Sequence, residues 1–281
     1  MELGRLSFAE MEEQPVLLGI QEIESKVSAR RFEGKVAIVT ASTQGIGFAI
    51  AECLALEGAS VVISSRKQEN VDEAVEKLKA KGIQALGVVC HVSNAQQRKN
   101  LINRTVEQYG KLDVFVSNAA VNPFKIPLLQ TEESVLDKPW ETNVKSSVLL
   151  LQDAAPYLQK GSLVLFISSL AGFQPLPTMA VYGVTKTALL GLTKALAAEM
   201  APNVRVNCVA PSFMPTRPSS DLYVTGSELQ KKKYEELTLL KRLGTVDEIA
   251  AAAAAAFLAS DDASYITGET LIIAGGTSSR L

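Results

Sequence analysis

Between Gly34 and Arg66 the order of apolar, small and polar residues leaves few folds open. Val36, Ala37, Ile38 and Val39 form a continuous apolar run inside Lys35 to Ala41, which is the pattern of a strand buried on both faces. Ser42-Thr43-Gln44-Gly45-Ile46-Gly47 is a tight polar turn. A helix follows, with Ile46, Ile50, Cys53 and Leu54 on one face and Gly58 as its stop. Ala59 to Ser65 is a second strand. Strand, glycine turn, helix and parallel strand within about thirty residues make a dinucleotide-binding βαβ unit. Ser42, Gln44, Gly45, Ile46 and Gly47 are therefore candidate cofactor residues. Gly45 lets the backbone approach a pyrophosphate and Gly47 lets helix and strand pack closely. The helix N-terminus offers free N–H groups and a positive dipole end to the phosphates. Ala41 occupies the place of the first glycine in the usual fingerprint, and adds only a methyl.

Strand and helix signals go on alternating to the C-terminus, so the 281 residues are expected to form one large α/β domain. Residues 68–81 carry Val71, Ala74, Val75 and Leu78 at helical spacing, and Ala85 to Val89 is a third strand. Residues 94–109 form a helix, and Leu112 to Val116 is a strand ending in Ser117-Asn118-Ala119-Ala120. Residues 131–159 read as mostly helical with a break at Asp137-Lys138-Pro139. Ser162 to Ile167, Val204 to Val209 and Glu269 to Ile273 complete the strands. Val181 to Met200 is a long helix and Asp247 to Ala259 an alanine-rich one. Residues 211–244 are a long insertion at the C-terminal end of a strand, which predicts a lid over a site. Residues 1–31 differ in character, with six Glu and four Lys or Arg, and are expected to be a poorly ordered extension before a domain spanning 32–281.

A net charge of −2 and a pI near 5.7 argue against a nucleic-acid binder. Cys53, Cys90 and Cys208 lack metal or disulfide spacing and read as reduced core thiols, so no metal site is expected. No apolar run reaches membrane-spanning length.

Tyr182-Gly-Val-Thr-Lys186 places a phenol and an ammonium one helical turn apart on one face. A free tyrosine titrates near pH 10, and a neighbouring cation brings it towards the range useful for proton transfer. Ser169, thirteen residues before Tyr182, lies just past a strand, where its hydroxyl could hold a carbonyl or alcohol oxygen beside the phenol. Asn143, in the preceding helix, could hold a water behind Lys186. Tyr and Lys at this spacing are usually a solvated helix face. The serine, the nucleotide turn and Ser-Asn-Ala-Ala in the same chain argue for chemistry instead.

Taken together, TASTQGIG at 40–47, SNAA at 117–120, Asn143, Ser169, Tyr182-x-x-x-Lys186 and Pro211-Ser-Phe-Met-Pro-Thr216 resemble the short-chain dehydrogenase/reductase family over residues 33–276. The resemblance implies a single doubly wound (Rossmann) domain with a central, mostly parallel seven-stranded sheet. It implies that Tyr182 is general acid/base and that Lys186 lowers its pKa and binds the nicotinamide ribose. Ser169 would orient the substrate oxygen and Asn143 support the proton relay. Asn118 and Ala119 would line the cofactor cleft, His91 and Val92 would lie near the adenine, and Pro211, Met214 and Thr216 would hold the carboxamide. TAS at 40–42, SSRK at 64–67, VCHVS at 89–93 and SNAAVNPF at 117–124 resemble the dehydrogenase/reductase member 4 branch, and most of all its plant peroxisomal relatives, the indole-3-butyric acid response dehydrogenases. That resemblance implies a homotetramer acting in side-chain shortening by β-oxidation. The animal side of the branch implies a carbonyl or retinal reductase as the alternative. Ser212 replaces the glycine of the family's Pro-Gly; at positive φ it would cost about 1 kcal/mol or more. Such a loss, with the N-terminal arm as an added element, is what favours the alternative of a non-catalytic NADP-binding scaffold.

The second strand ends in Ser65, followed by Arg66 and Lys67, where NAD-specific sites usually carry a carboxylate for the ribose 2′-hydroxyl. Donors there suit a 2′-phosphate, so NADP(H) is the expected cofactor. The chain ends Ser279-Arg280-Leu281, a variant of the Ser-Lys-Leu signal read by the peroxisomal import receptor. Lys231, Lys232 and Lys233 on the lid could meet the phosphates of a coenzyme A thioester, with Phe213, Leu222 and Tyr223 over its acyl part. The plainer reading of three consecutive lysines is a solvated helix surface.

Overall fold

The computed structural model describes residues 30–122, 127–175, 177–212, 228–250 and 254–278. Seven strands, β1 (Val36–Val39), β2 (Ser60–Ser65), β3 (Ala85–Val89), β4 (Leu112–Ser117), β5 (Leu158–Ile167), β6 (Val204–Pro211) and β7 (Thr270–Ile273), form one sheet in the order β3-β2-β1-β4-β5-β6-β7. All six pairings are parallel, so the sheet goes beyond the mostly parallel one expected. The order reverses between β1 and β4, and the crevice beyond their carboxyl ends is where an open sheet of this kind binds ligands.

Both faces of the sheet are covered, which is why the strands read as unbroken apolar runs. Along β1, Ala37 and Val39 join one core and Ile38 the other. Val114 and Val116 of β4 likewise oppose Phe115, and Leu163, Leu165 and Ile167 of β5 oppose Val164 and Phe166. This period of two distributes one strand between two cores. The first core is closed by α1 (Gly45–Leu56), through Ile50, Ala51 and Leu54, and by Ile249, Ala255, Ala256 and Leu258 of α8 (Val246–Ala250) and α9 (Ala254–Ala259). Ala255 and Ala256 thus bring small side chains into this core; residues 251–253 lie outside the described residues. The second core is closed by α3 (Ala95–Tyr109), α5 (Ser146–Ala154) and α6 (Ala180–Met200). Helix α2 (Gln68–Lys79) lies on β3 at Gly87, where a Cβ would come within 2.5 Å of Val71 Cγ1.

Pro139 does not break the helical segment as expected. Helix α4 (Glu133–Pro139) runs directly into a π-helical turn, Trp140–Lys145, and then into α5. The wider turn accommodates the register change after the proline without leaving the helix. π turns of this kind often coincide with functional positions, and this one carries Asn143. The helical segment also ends two residues earlier than expected, since Leu158 and Gln159 already belong to β5.

Candidate active site

Helix α1 begins without a side-chain cap, and its first turn holds no acidic residue. By contrast α3 is capped by Asn94 Oδ1, which accepts from Gln97 N–H at 3.0 Å. The positive end of α1 is therefore left for an external anion. Gly45 has φ +58, a conformation open to glycine at little cost. At Gly47 a Cβ would stand 2.4 Å from Asn118 Nδ2 and 2.7 Å from Ala41 O. The glycine thus makes room for the Asn118 side chain and the turn itself, rather than for general helix–strand packing. Asn118 Nδ2 donates to Thr40 O (2.9 Å) and Ala41 O (3.1 Å). Thr40 Oγ1 in turn accepts from the N–H groups of Asn118 (2.9 Å) and Ala119 (3.0 Å). The ends of β1 and β4, on either side of the switch point, are locked together by these bonds.

Two features of the turn differ from the sequence reading. Ser42 is fully buried; its N–H donates to Ser64 O (2.9 Å) and its hydroxyl donates to Val39 O (2.5 Å) while accepting from Ser64 N–H (3.0 Å). Both its donors are spent on strands β1 and β2, leaving none for a phosphate. The methyl of Ala41 is also not innocuous. Its φ is +50, a left-handed conformation that costs a non-glycine residue roughly 1–2 kcal/mol. Ser212, which would be strained at positive φ, is not among the described residues with positive φ. Its N–H donates to Ile273 O at 2.9 Å, so it sits in ordinary strand-like surroundings beside Pro211. Met214, Thr216, Phe213, Leu222 and Tyr223 of the expected lid lie outside the described residues, as do Ser279, Arg280 and Leu281. The lid's α7 (Glu228–Leu237) is described; Lys232 and Lys233 are exposed on it and Lys231 half-buried.

Ser65 is half-buried at the end of β2, while Arg66 and Lys67 are exposed and, among the described residues, in no ion pair. His91 and Val92 follow β3, the neighbouring strand. His91 N–H donates to Gln97 Oε1 (2.6 Å), its Nδ1 accepts from Ser93 N–H (3.2 Å), and Val92 O accepts from Arg98 Nη1 (2.9 Å). His91 also lines a cleft of about 770 Å³ with Trp140, Glu141 and Lys145, which none of the four candidate catalytic residues borders.

Those four residues converge at the carboxyl ends of β4 and β5. Ser169 follows β5, and its Oγ accepts from Ala171 N–H at 3.1 Å, which leaves the hydroxyl proton to donate elsewhere. Tyr182 is half-buried in the first turn of α6, with Lys186 Nζ 5.6 Å from its ring centroid. Lys186 is 2% exposed, and its Nζ donates to Ile167 O at 2.6 Å. One of three ammonium donors is thus used by the protein. Burial pushes the ammonium down to about 8, a shift that only an ionised Cys208 would oppose. Cys208 is itself pushed up to about 11 by burial, so at neutral pH it remains a thiol with no charge to offer. Asn143 is buried, and both amide protons are committed, to Val121 O (3.0 Å) and Thr185 Oγ1 (2.9 Å), while Oδ1 accepts from Val121 N–H (2.7 Å). Its side chain thereby braces the segment after β4 against α6, and the water suggested by the sequence would have to donate to an oxygen of Asn143. Thr185 was missed in the sequence reading; the available signal was a small polar residue immediately before Lys186 on the inward face.

A family model described as Enoyl-(Acyl carrier protein) reductase matches residues 40–278. The chain belongs to the short-chain dehydrogenase/reductase family. It is 69% identical over 262 residues to tropinone reductase-like 3 of Erythroxylum coca, covering 93% of this chain and all of that one. It is 68% identical over 252 residues to short-chain dehydrogenase/reductase SDRA of Arabidopsis thaliana, covering 90% of this chain and 98% of that one. Dehydrogenase/reductase SDR family member 4 of Sus scrofa is 48% identical over 252 residues, 89% of each chain. A short chain dehydrogenase from Burkholderia cenocepacia, solved in complex with NADP, superimposes with a TM-score of 0.79 at 30% identity, covering 88% of this chain and 99% of that one. The protein is thus an oxidoreductase of a family that binds a nicotinamide cofactor, and its place beside SDRA and the member 4 proteins matches the resemblance read from the sequence.

The buried lysine makes stability depend on pH. Its folded-state value of about 8 lies below the ordinary 10.5, so the unfolded chain binds the extra proton between these values. The penalty for burying the charge is therefore full below pH 8 and fades as pH rises to 10.5. At about 1.36 kcal/mol per unit, wild-type stability relative to Lys186→Met is expected to rise by about 3 kcal/mol across that window. Urea unfolding of both proteins from pH 7 to 10.5 checks this, and a constant difference would contradict it.

Proposed function

We propose that the protein transfers hydride between NADP(H) and a secondary alcohol or carbonyl, in peroxisomal shortening of an acyl side chain of the indole-3-butyric acid type. The observation that carries the reaction is the pairing of Tyr182 with the buried Lys186 ammonium one turn away. When bound, the nicotinamide supplies or takes up the hydride. Tyr182 Oη gives a proton to the carbonyl oxygen in reduction and removes it from the alcohol in oxidation. Lys186 stabilises the phenolate, and its remaining donors suit the nicotinamide ribose. Ser169, whose acceptor side is taken by Ala171 N–H, turns its proton to the substrate oxygen. The uncapped start of α1, with Gly45, Ile46 and Gly47, suits the pyrophosphate. The family resemblance supports a homotetramer.

The choice of NADP(H) rests on Ser65, Arg66 and Lys67, with no carboxylate at that strand end. A charge-assisted hydrogen bond to the 2′-phosphate is worth about 1.5–3 kcal/mol, roughly ten- to a hundredfold in affinity. Changing both Arg66 and Lys67 to Ser should weaken NADPH by about that factor and leave NADH nearly unchanged, as read by fluorescence titration. A wild type that binds both alike, or prefers NADH, rules out the assignment. Oxidation of NADPH with a panel of diketones and 3-ketoacyl thioesters then tests the reaction and the substrate class.

The address rests on Ser279-Arg280-Leu281. A fluorescent protein fused to the N-terminus, leaving Leu281 free, should collect in peroxisomes and become diffuse when Leu281 is removed. Diffuse signal with the intact C-terminus would contradict the proposal.

A further inference from the structure

We infer that Thr185 is the positioning residue that fixes the Tyr182–Lys186 pair against the rest of the site, an inference that rests on the proposed reaction. Thr185 is fully buried, and its hydroxyl is used twice. It accepts from Asn143 Nδ2 at 2.9 Å and donates to Tyr182 O at 2.7 Å. The direction of this relay is set at its far end. Val121 N–H donates to Asn143 Oδ1, and Asn143 Nδ2 donates to Val121 O, so only one orientation of the amide satisfies both. The second amide proton must then point at Thr185, which in turn directs the threonine proton to the carbonyl of Tyr182.

The start of α6 is held from its other side by a separate set of bonds. Ser168 Oγ donates to Lys186 O (2.8 Å), and the single proton of Thr187 Oγ1 goes to Gly172 O (2.6 Å), the nearer of two carbonyls within its reach. These tie α6 to the turn that carries Ser169. The Thr185 hydroxyl ties it to the π turn and to the segment after β4. The tyrosine and lysine lie three residues before and one after Thr185, so a small rotation or slide of this turn moves both reacting groups. Tightly placed groups tolerate little of this, and a displacement of about 1 Å can lower a rate about a hundredfold. The cofactor's phosphates, by contrast, are expected at α1, which this relay does not touch. Loss of the hydroxyl should therefore fall on turnover and spare cofactor binding.

Thr185→Val keeps the shape and removes the hydroxyl; Thr185→Ser keeps the hydroxyl and removes a methyl. The two variants, with Thr185→Ala should the valine variant fail to fold, are compared by single-turnover reduction of a carbonyl that wild type accepts. NADPH affinity is read by fluorescence and folding by thermal melts. Thr185→Val should lose about tenfold to a hundredfold in rate with NADPH affinity within about twofold, and Thr185→Ser should stay within about threefold of wild type. Because Thr185 and Asn143 act as one unit, adding Thr185→Val to Asn143→Ala should slow it no further. A Val (or Ala) variant of near-normal rate, a Ser variant as slow as it, losses that multiply with Asn143→Ala, or NADPH affinity falling in step with rate would each overturn the inference. A wild type that binds NADPH yet reduces no carbonyl would overturn the reaction, and the inference with it.

Discussion

A lysine ammonium only 2% exposed is held at the end of a central strand by one carbonyl oxygen, Ile167 O. Removing such a charge from water is unfavourable, and no carboxylate stands against it in the described ion pairs. The surroundings are accordingly rigid and crowded. Ser168 grips the Lys186 backbone, Thr185 and Asn143 grip the turn before it, and the protonated Cys208 lies beneath it. An uncompensated cation beside a phenol favours the phenolate, which is the state a proton-transferring tyrosine must reach near neutral pH. The same burial that lowers stability thus suits the proposed proton transfer.

The sheet supplies what this arrangement requires at longer range. Parallel strands end on one side, so the turns after β1, β4, β5 and β6 gather along one edge. At the switch point the Thr40–Asn118 bonds fasten β1 to β4, and Gly47 lets the Asn118 side chain pass. The nucleotide-binding turn follows β1 and the turn carrying Ser169 follows β5, with only β4 between those two strands in the sheet. Their separation is fixed by the strand spacing rather than by any loop.

Much of this was legible in the sequence because local patterns and the fold agree. The apolar runs, the glycine turn and the Tyr182–Lys186 spacing each point to one structure. The reading failed where a side chain's hydrogen bonds are settled by distant neighbours. Ser42 looked like a phosphate ligand but spends both donors on β1 and β2. The bracing role of Asn143, with both amide protons committed to other segments, does not show in the sequence. Pro139 looked like a helix break, and the chain absorbs it in a π turn, which no single-residue propensity announces. The condition for strain at Ser212, a positive φ, is not met there and is met at Ala41, since the sign of φ depends on the turn in three dimensions and not on the residue type.

The central claim is that Tyr182 moves the proton while the cofactor site stands independently of its hydroxyl. Tyr182→Phe keeps the ring over Lys186 and deletes only the oxygen. In single-turnover reduction its rate should fall about a hundredfold to ten-thousandfold, the usual contribution of a positioned acid or base, with NADPH affinity nearly unchanged. A Phe variant that reduces carbonyls at close to the wild-type rate would contradict the account.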